Sequence, residues 1–553
     1  MVPPRAGSVD PGPAPTELAR APAPADGSRR APVPLVVASL GVAALFASPL
    51  AYLVWRNTAL GSELVDAVSS PETLVPLGRS VVLAVAVSVS AAVVGTLLAW
   101  CVVRTDLPGR RLWRVLAPLP LVIPSYVGAT AFLAALAPGG LVEPFLAPFG
   151  LRRMPELSGF WGAWLVLTAF TYPYVYLPTA ARLAALPPSL EESARLLGRP
   201  PRQVFRTVVL PQARGAVWAG TLLVFLYTIS DFGAVELMRY GTLTREIFAN
   251  KLAPSASLPL ALVLGGLALV VVALERRANR RALTPGTLRT RAVLRVRLGR
   301  WRWAAFAAVV AVLAVALVVP LGVLVYWAAR GLVSAGSGTV ELSTDLGALA
   351  GPALNTMGVS LVAAVAAVVL VLPLAFYTTR HRSALGGVAN ALVVAGFALP
   401  GLVVALALVF WTLGAEPLGA LYQTIPLLVF AYVVHFGAQA MRAGQVAVGA
   451  VPTRLDDAAR VLGAGPGRRL RTVDAPLMLP GLAAGGGLVL LSTMKELPAT
   501  LLLAPPNFDT LATRLWSANE SSYFAQVGLA GLVLVGLSAL LTWALVLRRQ
   551  EHL

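Results

Sequence analysis

At 553 residues, 57% hydrophobic and only 12% charged, the chain is too apolar for an ordinary soluble domain. Its net charge of +19 arises from 44 Lys and Arg against 25 Asp and Glu, and only Lys251 and Lys495 are lysines. Spread between long apolar runs, the arginines read as membrane-topology signals and not as a nucleic-acid footprint. The single cysteine, Cys101, excludes an intrachain disulfide and any cysteine-based metal site.

Backbone polar groups in hydrocarbon must be paired within the segment, and nothing here alternates like a barrel strand, so the spans are expected to be helices. Residues 1–32 are rich in Pro, Ala and Gly and read as a disordered cytoplasmic tail. The next run is too long for a signal-peptide core and is taken as the first anchor. Spans of about 20 residues are predicted near 33–55, 78–103, 113–137, 158–183, 213–236 and 256–274. A basic linker over 276–302 follows, read as a solvated joint attracted to anionic lipid. Beyond it, spans are predicted near 303–328, 355–378, 387–413, 420–441, 477–503 and 523–547. The fold class is thus all-α integral membrane, about twelve transmembrane helices in two halves, 33–275 and 303–553.

Arginines concentrate in alternate loops (Arg29–Arg30, Arg104 with Arg110, Arg111 and Arg114, Arg380 and Arg382, Arg548–Arg549), while Glu63, Asp66, Glu72, Glu143, Glu341, Asp345, Glu416 and Asp509 fall in the others. That alternation predicts both termini on the cytoplasmic side.

One polar segment occurs twice, 265 positions apart. The first copy, in the loop 187–211, reads Leu190-Glu191-Glu192-Ser193-Ala194-Arg195-Leu196-Leu197-Gly198 and reaches Pro211. The second, in 452–476, reads Leu455-Asp456-Asp457-Ala458-Ala459-Arg460-Val461-Leu462-Gly463 and reaches Pro476. Each lies between the fourth and fifth spans of its half, so the repeats run parallel. Ser189 with Glu192, and more weakly Thr453 with Asp456, suggest capping boxes that start a short helix. Gly198 and Gly463 are placed to end it with positive φ. An exposed acid (Glu192, Asp457) beside apolar residues (Leu196 and Leu197, Val461 and Leu462) suits insertion into a partner's cleft.

This acid, small-residue, glycine and proline pattern resembles the EAA loop of ATP-binding-cassette importer permeases. In that family the loop forms a coupling helix seated in a groove of the ATPase subunit. The resemblance covers about 70–275 and 350–548, departing mildly at Ser193, Asp457 and Ala475, where the family carries alanine, glutamate and leucine. It implies an ATPase-coupling role for Glu192, Ser193, Ala194, Leu197, Gly198 and Pro211, and for Asp457, Ala458, Ala459, Leu462, Gly463 and Pro476. No G-x-x-x-x-G-K-[ST] segment is present, so ATP and magnesium are expected on a separate subunit, in two copies, with no cofactor in this chain and no enzymatic chemistry of its own. The resemblance also implies an extracytoplasmic substrate-binding protein as partner and the bacterial cytoplasmic membrane as location.

The fifth spans end in matching register, at Asp231-Phe232-Gly233-Ala234-Val235-Glu236 and at Lys495-Glu496-Leu497-Pro498-Ala499-Thr500, with Asp231 aligned to Glu496. Ionisable groups at membrane depth are costly and face a cavity or a partner, so Asp231, Glu236, Lys495 and Glu496 are candidate pathway or gate residues. Both segments resemble ferric-iron importer permeases, in which the fused two-half layout also occurs. Ferric iron is a hard cation suited to oxygen ligands, although the histidines (His381, His435, His552) show no metal-ligand spacing. Two other readings stand beside iron: the same importer class for thiamine, phosphonate or another small solute, and an ion-gradient-driven secondary transporter, which would favour inverted repeats. Pro124 and Pro400 are expected to kink the third and ninth spans, and Trp55, Trp411 and Trp516 to sit in interfacial belts.

Overall fold

A computed structural model describes residues 31–136, 142–143, 147–149, 157–280, 295–335, 346–381 and 383–544. The tail through Arg30, residues 281–294 of the linker, Glu341, Asp345, Arg382, Arg548, Arg549 and His552 lie outside the described residues. Among the described residues there is no β-ladder, only an isolated bridge between Thr105 and Val296.

The first half comprises α1 (Val33–Thr58), α2 (Pro71–Arg104), α3 (Arg110–Leu116), α4 (Ser125–Leu136), α5 (Gly159–Ala184), the short loop helix α6 (Pro188–Leu196), α7 (Leu210–Ser230), α8 (Gly233–Leu237) and α9 (Pro254–Arg280). The second comprises α10 (Arg302–Leu313) continuing into α11 (Val319–Ala335), α12 (Ala350–Arg380), α13 (Ala384–Ala398), α14 (Gly401–Leu413), α15 (Ile425–Ala450), the loop helix α16 (Thr453–Val461), α17 (Ala475–Thr493), α18 (Pro498–Leu503), α19 (Leu511–Glu520) and α20 (Phe524–Thr542). Among the described residues nine helices are long and apolar enough to cross a membrane, and two bent pairs bring the number to eleven. The remaining predicted span is α5, whose 26 residues equal its counterpart α15 in length. Tyrosines, threonines and two internal prolines, Pro173 and Pro178, dilute its hydropathy, and half of its residues are buried.

That burial follows from packing. Helix α5 packs on both α2 and α7, as α15 packs on both α12 and α17. Small residues let the backbones close: a Cβ on Gly95 of α2 would lie 2.8 Å from the Tyr172 carbonyl oxygen, and one on Gly220 of α7 would lie 2.7 Å from that of Tyr174. Without a hydrophobic force between helices in lipid, such close contact supplies the association.

The third and ninth predicted spans are broken, not merely kinked. The segments Arg110–Val122 and Ser125–Leu136 meet at 98°, with Pro124 in the break, and α13 and α14 meet at 102°, with Pro400 in the break. Proline has no N–H to continue the helix and restricts the residue before it. The backbone at Leu399 and Pro400 is accordingly extended.

The first helix of each half reaches into the other half while keeping contacts in its own, α1 with α9 and α11 with α20. Helix α1 packs on α12, α13 and α14 of the second half, while α11 packs on α4 of the first and on α20. Phe46 of α1 is buried in the second half's core, where the ring fills the space a Cβ on Gly437 would need. Conversely, Val309, Leu313, Leu317 and Leu324 join the core of the first half.

Candidate coupling loops and inter-half centre

Each repeated loop is a short helix, a left-handed turn and a second helix. Helices α6 and α16 end where Gly198 and Gly463 adopt φ of 76° and 75°. Their N–H groups donate to Arg195 and Arg460 carbonyls, both at 2.9 Å. The capping boxes expected from Ser189 and Thr453 do not form. The N-cap positions are Pro187 and Pro452, in extended backbone, with no side-chain cap. Pro188 occupies the first turn of α6, where its ring already supplies the helical φ.

Downstream, the chain re-enters a helix at Pro201 and at Pro466, and each restarted helix widens into one π turn (Phe205–Val209, Leu470–Asp474) just before Pro211 and Pro476. The proline ring clashes with the carbonyl four residues back and lacks its N–H, and a π turn relieves both. The long helices α7 and α17 therefore begin in matching ways.

The tips of both loops present apolar side chains outward. Leu196 and Leu197 are 89% and 77% exposed, and Val461 and Leu462 are 88% and 85% exposed. Glu192 and Ser193 are exposed as well, as are Asp457 and Ala458, whereas Ala194 is buried and Ala459 half-buried. Asp457 lies 4.0 Å from Arg460 one turn on.

The acid that sequence reasoning passed over is Glu191, one residue before Glu192. It is buried on the inner face of α6 and ion-pairs with Arg104, the last residue of α2, the two side chains being 3% and 0% exposed. The helical spacing of Glu191 and Ala194 as the two buried residues of α6 is the signal that would have found it.

At the other end of the fifth spans, Asp231 and Glu496 occupy corresponding breaks. The Asp231 carboxylate accepts from Ser125 Oγ and, at 2.9 Å, from the Ala234 N–H. Ser125 is the first residue of α4, directly after the Pro124 break. The Glu496 carboxylate accepts from the Ala499 N–H at 3.3 Å and sits against Gly401, the first residue of α14, where a Cβ would collide with it. Each acid thus caps its own short helix and faces the N-terminus of the post-bend helix of its half, where unpaired N–H groups favour negative charge.

Lys495 does not form its contact within its own half. Its ammonium donates to the Leu121 carbonyl of the first half at 3.0 Å, beside the Pro124 break. Phe232, next to Asp231, meets Trp516 of the second half with ring centroids 5.5 Å apart. Trp516 is therefore an inter-half residue, 5% exposed, and not the belt residue expected of it. Trp55 is exposed, and Trp411 is half-buried with Tyr52 stacked on it. Glu236 lies apart from this centre, paired at 3.2 Å with Arg245. His435 stacks on Phe397 and lies tilted against Phe436 within the second half. Among the described residues no three His, Cys, Asp or Glu side chains converge as a metal site.

Two matched membrane-spanning halves, broken helices meeting between them and a matching apolar-tipped loop in each define the body of a transport permease. The chain belongs to the family of binding-protein-dependent transport system inner membrane components, whose model matches residues 91–335 and 371–550. It is 27% identical over 514 residues to the Fe(3+)-transport system permease protein FbpB 2 of Haemophilus influenzae, covering 92% of this chain and 96% of that protein. It is 32% identical over 215 residues to the sulfate transport system permease protein CysT of Salmonella typhimurium, covering 38% of this chain and 76% of that one. A probable molybdenum ABC transporter permease protein of Haloferax volcanii is 30% identical over 230 residues, covering 41% of this chain and 82% of its own length.

Proposed function

We propose that this chain is the permease of an importer for ferric iron, which an extracytoplasmic binding protein delivers. Two copies of a separate ATP-hydrolysing subunit drive it from the cytoplasm, where both loops and both termini lie. The observation that carries the motor part is the pair of outward apolar tips, Leu196–Leu197 and Val461–Leu462, on helices that carry an exposed acid at the same position. Exposed apolar clusters rimmed by polar groups mark docking sites, and two copies in register call for a two-fold partner. Closure of that partner on ATP moves the two loop helices and rocks the halves between inward-open and outward-open states.

For the substrate, the support is the ferric relative, which of the three runs the length of this chain. In this reading Asp231 and Glu496 hold the two broken helices in place around the route, and Lys495 ties the halves across it. The deciding measurement is uptake by vesicles containing the chain, the ATPase and the binding protein. Radiolabelled ferric iron is expected to accumulate in an ATP-dependent way, without competition from sulfate, molybdate, thiamine or phosphonate. Accumulation of one of these instead would keep the importer and discard iron; accumulation driven by an ion gradient without ATP would discard both.

A further inference from the structure

The end of α2 is a junction of three parts of the molecule. The Arg104 guanidinium pairs with Glu191 of α6 and donates to the Leu183 carbonyl near the end of α5, at 3.4 Å. The Arg104 carbonyl accepts from the Val296 N–H at 2.8 Å, and the Asp106 carboxylate accepts from the Leu298 N–H at 2.9 Å. Residues 296–298 lead directly into Gly299–Trp301 and α10, the first membrane helix of the second half. Three residues, Arg104 to Asp106, therefore hold a loop helix on one side and the start of the other half on the other.

A buried ion pair is a weak source of net stability, since desolvation offsets the Coulomb attraction, but loss of one partner leaves an uncompensated charge. The ion pair on one side and the hydrogen bond to the Leu183 carbonyl on the other fix the guanidinium in one place. The pair joins α6, which has only two buried residues of its own, to a 34-residue helix that packs on α5 and α7. With so few apolar contacts under α6, this pair is its principal anchor. In the second half, Arg380 ends α12 and donates to the Val451 carbonyl at 3.0 Å, as Arg104 does to Leu183. The arginine at the foot of this helix is thus a feature of both halves.

We propose that the Arg104–Glu191 pair is the positioning latch through which displacement of the first loop helix is transmitted to α2 and, through the clamp at 296–298, to the first helix of the second half. The transmission rests on the reading of α6 as the docking helix; the latch itself does not. Glu191 and Arg104 act through α6 and touch no substrate.

Two measurements on Glu191→Gln keep these parts separate. The first is hydrogen exchange of the purified full chain, with no ATPase present, comparing 188–197 with 453–461 as an internal reference. Exchange in 188–197 is expected to rise by about tenfold or more while 453–461 is unchanged. The second is substrate moved per ATP hydrolysed in vesicles containing the full complex. It is expected to fall severalfold while hydrolysis continues, and the charge-swapped double variant, Arg104→Glu with Glu191→Arg, is expected to recover part of both losses. Unchanged exchange in 188–197, or an equal rise in both segments, overturns the latch whatever the ATPase does. Selective loosening with parental transport per ATP overturns the transmission. If the ATPase fails to bind even the parent chain, the docking reading falls while the exchange result still decides the latch. Should Glu191→Gln not accumulate, Glu191→Asp, shorter by one methylene, carries the same comparison with a smaller rise.

Discussion

Asp231 and Glu192 show how differently two acids on one chain are used. Asp231 is 8% exposed and both its carboxylate oxygens are engaged, one by Ser125 and one by the Ala234 N–H. Asp231→Ala leaves those donors unpaired and is expected to cost about 1–3 kcal/mol, read as a lowered melting temperature in detergent. Asp231→Asn keeps an acceptor oxygen and should lose less. If Asp231 were a free ligand in an open route, the alanine would instead be neutral for stability. Glu192 is exposed with no such partners, so Glu192→Arg with Asp457→Arg should leave the melting temperature unchanged while abolishing co-purification of the ATPase. Leu197→Ser isolates the apolar contribution. It should weaken ATPase binding by about tenfold or more, measured by titration with purified subunit, as truncation of a central interface residue does.

Prolines break two of the spans and leave others continuous, such as α5 with Pro173 and Pro178. Breaks of 98° and 102° fall at Pro124 and Pro400, and each is braced by an acid from the fifth span of the same half. Gly401 has no Cβ because the Glu496 carboxylate occupies that place, whereas Gly387 has nothing within 4 Å of the equivalent position. Gly401→Ala should therefore lower the melting temperature, and Gly387→Ala should raise it slightly by favouring the helix. Much of this was legible in the chain. The repeated loop, the positive φ of Gly198 and Gly463 and some bending at Pro124 and Pro400 follow from local chemistry, although the sequence reading expected kinks and not full breaks. Angles near a right angle do not follow, because proline weakens a helix without fixing whether it continues, as it does through Pro173 and Pro373, or turns, as it does at Pro124 and Pro400. The capping box failed for a similar reason, since a proline at the first position displaced the serine from the cap. Glu191 was obscured by Glu192, as adjacent acids look alike until the buried face of α6 is known.

At the scale of the molecule, the two halves are not separable bodies. Val42, Ala43 and Phe46 of α1 join the core of the second half, and Val309, Leu313, Leu317 and Leu324 of the α10–α11 segment join that of the first, although α1 also meets α9 and α11 meets α20 within their own halves. Hydropathy counts spans but carries no information about which neighbours they choose, so this exchange was invisible in the sequence. It predicts that two chains made by cutting within 281–294 will co-purify as a one-to-one complex that withstands detergent; recovery of two independent halves would refute the exchange. It also bears on biogenesis. Helix α1 is inserted first, yet its main neighbours, α12 to α14, span 350–413 and emerge roughly 300 residues later. At ribosomal speeds of about 5–20 residues per second, that is a delay of roughly 15–60 s. During that wait the ring of Phe46 has no slot to enter, and the newborn segment must idle in lipid or in a chaperone's keeping until its berth has been translated.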